Sequence, residues 1–141
     1  MAERPYTRVI ALLQQAGLRP TRQRLALARL LFDEGNRHVT AEDLHREARK
    51  AGVSVSLATI YNTLNQFTIS GLLREVVVEP GRAYFDTNTS GHHHFFFEKT
   101  GEICDIPEDE VAIARLPQLP DGATLSRVDV VVRIRESTSR D

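Results

Sequence analysis

The stretch SLATIYNTLNQF, residues 56–67, decides the fold of this chain. Its large apolar side chains recur at spacings of three and four residues, which places them on one side of a helix. These side chains are Leu57, Ile60, Leu64 and Phe67. The other side carries uncharged, short or hydrogen-bonding groups with Tyr61 and Asn62 at its middle, and Ser56 precedes the helix as an N-cap. The pattern predicts an amphipathic helix whose polar face suits entry into a groove.

Three more helices are predicted before this stretch, each with a recognisable start or end. An apolar repeat at helical spacing stops at Gly17, which favours the end of a first helix. Thr21 offers a capping hydroxyl to a second helix that ends near Gly35. Thr40, followed three residues later by Asp43, resembles a capping box at the start of the third.

A hairpin follows the helices. Residues 72–86 contain two β-rich runs separated by Glu79, Pro80, Gly81 and Arg82, and Pro and Gly are typical of a turn between strands. A helical group followed by a hairpin is a winged helix, and we expect this domain to occupy residues 1–86.

The rest of the chain is predicted to be a second, smaller domain. The small and polar segment TNTSG, residues 87–91, is typical of a hinge. Residues 92–141 are expected to form two strands around a Lys99–Gly101 turn, a short helix over residues 108–116, and a strand over residues 124–136.

This second domain is predicted to be incomplete in a single chain. A sheet of about three strands with one helix buries too little apolar surface to stand alone, so we expect a second copy to complete its core in a homodimer. The fold class is therefore α+β, with an N-terminal winged helix and a small C-terminal α/β dimerisation domain.

Composition and charge narrow the classes of function. The chain has no run of eighteen apolar residues and no apolar signal core near its start, so we expect a cytoplasmic protein without a membrane partner. The single cysteine, Cys104, excludes a structural zinc site built from cysteines, and we interpret it as a buried small hydrophobe. Residues 1–85 carry twelve Arg or Lys and eight Asp or Glu, whereas residues 86–141 carry six and eleven. Phosphate contact is therefore expected in the front half.

The front half contains the side chains that contact with duplex DNA requires. Hydrogen-bonding groups on the fourth helix suit base edges, and basic groups around it suit phosphates. The candidates are Arg19, Arg22, Arg24, Ser54, Ser56, Thr59, Tyr61, Asn62 and Arg74. Periodicity leaves two interpretations open, since Tyr61 could equally pack on a neighbouring element while the arginines are solvated.

A histidine run marks a candidate metal site. His92, His93 and His94 open a strand, so His92 and His94 point to one face and His93 to the other. Imidazoles with carboxylates are common ligands of divalent metals, and the additional candidates are His38, Asp86 and Asp105. A polar entry to a sheet is the alternative interpretation.

Two other classes of function stay open at this point. Histidines with carboxylates also occur in metal-dependent hydrolases, although the chain has no HExxH motif. The other alternative is a module that binds only protein and no DNA.

Three segments resemble the amino-terminal domain of the ferric uptake regulator family. They are GLRPTRQRLALARLL (17–31), HVTAEDLHREA (38–48) and SLATIYNTLNQFTISGLL (56–73). The resemblance implies a transcription regulator rather than an enzyme, acting as a repressor that binds A·T-rich inverted repeats in double-stranded DNA as a homodimer. It also implies that Tyr61 contacts bases beside Asn62, that Arg19 approaches the minor groove, and that Arg24 holds phosphate.

The resemblance implies a sensory metal site as well. Relatives use a histidine before the third helix, an acidic residue after the wing, an HxH pair and an acidic residue on the next strand. His38, Asp86, His92, His94 and Asp105 occupy those places as ligands for Fe, Mn or Zn. Asp replaces the usual Glu at the last two acidic positions, which shortens the reach of each carboxylate by one methylene.

A finer resemblance points to heme. The triple histidine followed by phenylalanine, without thiol pairs, is similar to the iron response regulator subgroup, whose members respond to heme. The subgroup implies that His92, His93 and His94 bind heme, with a heme-delivering protein as a further candidate partner. Phe95, Phe96 and Phe97 could contact the porphyrin, but such a run in a strand is more often core.

Overall fold

A computed structural model describes residues 6–136 of the chain. The chain forms two compact units with their boundary between Thr89 and Ser90. The described parts of these units, residues 6–89 and 90–136, are called the front unit and the back unit below, and each is described by itself.

Four helices form the greater part of the front unit. They are α1 (Thr7–Gln15), α2 (Arg22–Phe32), α3 (Ala41–Lys50) and α4 (Leu57–Ile69). The three predicted N-caps are confirmed, because the hydroxyls of Thr21, Thr40 and Ser56 each accept a backbone N–H from the first turn of the helix that follows. Among the described helices, none has both the length and the apolar character needed to span a membrane.

The predicted hairpin is confirmed and forms the wing. Strands β2 (Arg74–Glu79) and β3 (Arg82–Asp86) pair antiparallel, and Gly81 in the turn between them has a φ of 75°, a value that favours glycine. A two-residue strand that the sequence did not predict, β1 (His38–Val39), pairs with the other edge of β3 and gives the order β1-β3-β2.

The front unit has its own hydrophobic core. Ile60, Leu64 and Phe67 of α4 are fully buried, and the rings of Phe67 and Phe32 lie with their centroids 6.3 Å apart. The remaining core side chains come from all four helices and from Val39, Leu73 and Phe85. The apolar face of α4 is thus fixed, and its polar face is left on the surface.

The back unit contains one three-stranded sheet. Strand β4 (His92–Phe97) lies at the centre, antiparallel to β5 (Ile103–Pro107) and parallel to β6 (Val131–Ile134). The two strands predicted around the Lys99–Gly101 turn are therefore confirmed.

The helix predicted over residues 108–116 is wrong. Only Glu108–Glu110 forms a single 3-10 turn, and residues 111–130 contain neither helix nor strand. The physical reason is that Ile113 and Leu116 are 44% and 46% exposed, and a nine-residue helix is marginal in water unless it packs on something. The predicted strand over residues 124–136 is also too long, since β6 begins only at Val131.

Candidate metal centre and DNA-contacting surface

The back unit gathers two imidazoles around one carboxylate. Alternation along β4 places His92 and His94 on one face, and the register with β5 sets His94 opposite Asp105. The Nε2 atoms of His92 and His94 lie 3.1 Å and 3.4 Å from the same oxygen, Oδ1 of Asp105. Both imidazoles are buried, at 5% and 1% exposure. The nitrogens and the carboxylate oxygens of these side chains therefore converge on one small volume.

The hydrogen bonding of His92 shows what this cluster requires. Nδ1 of His92 lies 2.6 Å from the carbonyl oxygen of Ser90, and a carbonyl can only accept, so Nδ1 carries a proton. In the neutral ring, Nε2 then presents a lone pair to the Asp105 carboxylate, which is also an acceptor. A positive charge, either a proton or a metal ion, must join two such groups. The donor set therefore fits a divalent metal.

A second pair of candidate ligands lies in the front unit. His38 and Asp86 face each other across the β1–β3 pairing, and Nε2 of His38 lies 3.0 Å from Oδ2 of Asp86. The Asp86 side chain is fully buried, and its Oδ1 accepts the backbone N–H of Asn88. The short strand β1, which the sequence did not predict, is what positions His38.

The other face of β4 has a different character. Nδ1 of His93 accepts the backbone N–H of Val130 at 3.1 Å, so a neutral His93 carries its proton on Nε2. Phe95 and Phe97 are half-buried on the same side, with ring centroids 6.1 Å apart. In the run of three phenylalanines, only Phe96 is core, at 1% exposure.

The interpretation of Cys104 as a buried hydrophobe is wrong. The thiol is exposed, because β5 is an edge strand of the sheet and its one buried side chain is that of Ile106.

The polar face of α4 is the candidate DNA-contacting surface. Tyr61 is 41% exposed and Asn62 is exposed beside it. The Tyr61 hydroxyl donates a 2.9 Å hydrogen bond to Oε2 of Glu42 in α3, and this bond raises the pKa of the phenol. The Ser56 hydroxyl donates to Oγ1 of Thr59 and accepts the Thr59 N–H, so both residues form the start of the helix.

The predicted arginines lie in different environments. Arg19 and Arg22 are exposed around the start of α2. Arg24 donates from one guanidinium nitrogen to the carbonyl of Arg19 (2.9 Å) and from another to Oε1 of Gln66 in α4 (3.1 Å). It therefore joins the turn that carries Arg19 to α4. The expectation that Arg74 flanks the DNA is wrong, because this side chain is only 5% exposed on β2, opposite Asp86.

Sequence reasoning missed two residues at this surface, Glu42 and Gln66. Both are ordinary exposed polar positions along the chain. Their contacts with Tyr61 and Arg24 span 19 and 42 residues and depend on how the helices pack, so spacing gave no signal for them.

Comparison with protein families identifies a match over most of the chain. The model of the ferric uptake regulator family matches residues 15–132. This range includes α2 to α4, the wing, and strands β4, β5 and part of β6.

Individual proteins give the same result. The ferric uptake regulation protein of Pseudomonas aeruginosa is 36% identical over 100 residues, covering 70% of this chain and 75% of that protein. The peroxide-responsive repressor PerR of Staphylococcus aureus is 36% identical over 110 residues, covering 77% and 74%. Among solved structures, the ferric uptake regulator of P. aeruginosa with manganese superposes with a TM-score of 0.70 at 27% identity, covering 91% of this chain and 97% of that one.

Proposed function

Because the chain belongs to the ferric uptake regulator family, we propose that it binds duplex DNA through α4 and that a divalent metal ion controls this binding. Members of the family are transcription regulators rather than enzymes, and the comparisons give the hydrolase alternative no support. The observation that carries the proposal is the approach of two imidazole Nε2 atoms to one oxygen of Asp105.

The proposed ligands are His38, Asp86, His92, His94 and Asp105. Two arguments support them. Their nitrogen and oxygen atoms are the mixture that manganese, iron and zinc accept in proteins, and the related P. aeruginosa regulator was solved with manganese. Within each unit, imidazole Nε2 atoms also already lie close to a carboxylate oxygen, at 3.0 Å in the front unit and at 3.1 Å and 3.4 Å in the back unit. A bound divalent ion would supply the positive charge that these carboxylates and lone pairs share.

Control of DNA binding follows if one ion takes ligands from both sides of residues 87–91. Such a set would restrict the backbone of this segment, which we propose to be a hinge. A restricted hinge fixes how two α4 helices of a homodimer are spaced, and this spacing must match the half-sites of an inverted repeat.

The proposed DNA contacts divide into three groups. Tyr61 and Asn62 are proposed to contact base edges, because they are exposed at the middle of α4. Arg19 is proposed to enter an A·T-rich minor groove. The proposed phosphate and helix-start contacts are Arg22, Arg24, Ser56 and Thr59.

A heme response is the finer form of the proposal, and the resemblance to the iron response regulator subgroup supports it through His92, His93 and His94. The hydrogen bonding favours a metal ion at His92 and His94, whose Nε2 atoms face a carboxylate. A neutral His93 carries its proton on Nε2, so it would have to give up the bond from Val130 or change its protonation to ligate heme iron.

Metal titration tests the proposed centre. Protein stripped with a chelator is titrated with manganese chloride in a calorimeter, and the bound metal is counted by elemental analysis. His94→Ala is expected to lower the affinity by about a hundredfold or more, because a ligand is lost. His45→Gln is the matched control, since His45 contacts the carbonyl of Val55 in the front unit. Wild-type affinity in His94→Ala would contradict the centre, and wild-type affinity in His38→Ala would remove His38 from it.

Selection from a random duplex pool tests DNA binding. We expect the protein to enrich an A·T-rich inverted repeat to a different extent with and without manganese chloride. Affinity should fall steeply with salt, since basic groups displace counterions from phosphates. Enrichment of no sequence, with or without manganese chloride, would contradict the proposed function.

Titration of the same protein with hemin tests the finer proposal. Loss of the heme spectrum in His93→Ala, a change outside the proposed metal ligands, would show that heme binding is separate from the metal centre.

A further inference from the structure

We infer that Glu42 is a positioning residue for sequence discrimination, acting through its hydrogen bond with the phenol of Tyr61. The inference rests on the proposed function, in which Tyr61 contacts bases. Its structural basis is the 2.9 Å bond from the Tyr61 hydroxyl to Oε2 of Glu42, which joins the exposed face of α4 to the start of α3.

An exposed aromatic side chain on a helix needs such a restraint if it is to distinguish bases. Tyr61 is 41% exposed, so packing covers only part of its ring, and rotation about its side-chain bonds would move the ring across the helix surface. A bond from a hydroxyl to an ionised carboxylate is stronger than one between neutral groups. The bond therefore holds the ring in one orientation in the free protein. The conformational entropy of the ring is then already lost before DNA binds, so binding does not have to order it.

Glu42 is itself held in place by the structure of α3. It is the second residue of that helix, and the capping box between Thr40 and Asp43 fixes the backbone immediately around it. A carboxylate in the first turn also interacts favourably with the positive end of the helix dipole. The buried side chains of Leu44 in α3 and of Ile60 and Leu64 in α4 belong to one core, so the two helices hold Glu42 and Tyr61 at a fixed separation.

The charge of Glu42 points in the same direction. A carboxylate close to the DNA-contacting surface repels phosphate whatever the sequence, so it weakens binding to all duplexes alike. The carboxylate of Glu42 therefore does not raise the affinity for DNA in general. Orientation of Tyr61, in contrast, changes only the difference in affinity between correct and incorrect sequences.

Two substitutions of Glu42 separate its charge from its hydrogen bond. Glu42→Ala and Glu42→Gln both remove the negative charge, but the glutamine amide oxygen still accepts from the phenol. Each variant is measured, in manganese chloride, against a duplex that the wild type enriched from a random pool and against a scrambled duplex of the same composition. We expect the ratio of the two affinities to fall about fivefold in Glu42→Ala, the value of one hydrogen bond, and to recover largely in Glu42→Gln.

A double-mutant cycle completes the test. Tyr61→Phe removes the hydroxyl, so it should reproduce the loss in Glu42→Ala, and Glu42→Ala with Tyr61→Phe should be no worse than either alone. An unchanged ratio in Glu42→Ala would overturn the inference. Losses that are equal in Glu42→Ala and Glu42→Gln, and that add to the loss in Tyr61→Phe, would also overturn it. The carboxylate would then contact a base directly, for example the amino group of cytosine. If the wild type enriches no sequence, the proposed function fails; if it does and the variants keep its ratio, only this inference fails.

Discussion

The front and back units differ in how far each completes its own structure. In the front unit, capped helices and a wing enclose a core, and the polar groups Tyr61 and Arg24 on its surface are bonded to neighbouring helices. In the described part of the back unit, the buried apolar side chains are only Phe96 and Ile106. Its exposed large apolar side chains are Ile113, Leu116, Leu119, Leu125 and Val132. The difference leads us to expect that the front unit folds on its own chain, whereas the back unit requires a bound ion and a second copy to complete its structure.

The largest effect that would test this comparison is expected in the core of the front unit. Phe67→Ala removes a fully buried ring and should lower the free energy of unfolding by about 3–5 kcal/mol. Ile69→Ala on the same helix is the control, since Ile69 is 87% exposed and its loss should change stability by less than about 0.5 kcal/mol. Denaturant unfolding followed by far-UV circular dichroism measures both. Equal effects would mean that α4 is not fixed by this core.

Metal binding should have the next largest effect, on the back unit. An ion held by His92, His94 and Asp105 would stabilise only the folded form of β4, by about 3 kcal/mol when the free metal concentration is about a hundred times the Kd. Hydrogen exchange of the β4 amides with and without manganese chloride measures this change. Asp105→Asn keeps the shape of the side chain but removes its charge, so it should lose most of the added protection. Exchange that manganese leaves unchanged in the wild type would show that an ion does not complete this unit.

Local signals explain why the front unit was the more predictable of the two. Thr21, Thr40 and Ser56 mark helix starts through bonds to residues three positions away, and apolar spacing fixes the buried face of α4. Alternation along β4 likewise predicted that His92 and His94 share a face.

The features that could not be predicted all depend on distant parts of the chain. Strand β1 is two residues long and exists only through its pairing with β3. In that pairing His38 lies opposite Asp86, which is 48 residues later in the chain. Burial of Arg74 and the contact of Tyr61 with Glu42 depend on how elements pack. The segment 108–116 has helical spacing, but its large apolar side chains Ile113 and Leu116 are 44% and 46% exposed, so the described chain covers them only in part.

Self-association tests whether the back unit requires a second copy, and the expected effect is smaller. If a second copy covers the exposed apolar side chains of residues 111–130, Ile113→Asp should weaken dimerisation about tenfold, because a charge would be buried in the interface. Val77→Asp is the control, since Val77 is 59% exposed on the wing of the front unit. Sedimentation equilibrium measures both. If the two changes weaken dimerisation equally, or if neither weakens it, the dimer contact must lie elsewhere.

The smallest effect concerns the surface bond of the front unit. The bond to Glu42, followed by burial and by the nearby negative charge, raises the pKa of the Tyr61 phenol above its ordinary value. The folded form therefore holds this proton more tightly than the unfolded form. The stability that the bond contributes is fully present below the ordinary pKa of about 10 and is lost as pH rises through the higher pKa of the folded form.

Tyr61→Phe should remove this pH-dependent contribution. The difference in unfolding free energy between wild type and Tyr61→Phe is expected to stay constant at neutral pH and to shrink in alkali, and Glu42→Ala should show the same profile because it removes the same bond. The change is small because solvent reaches 41% of Tyr61 and screens the interaction. A difference that persists unchanged through alkaline pH would mean that the phenol does not donate to Glu42 in solution, and the surface of the front unit would then be less fixed than its core.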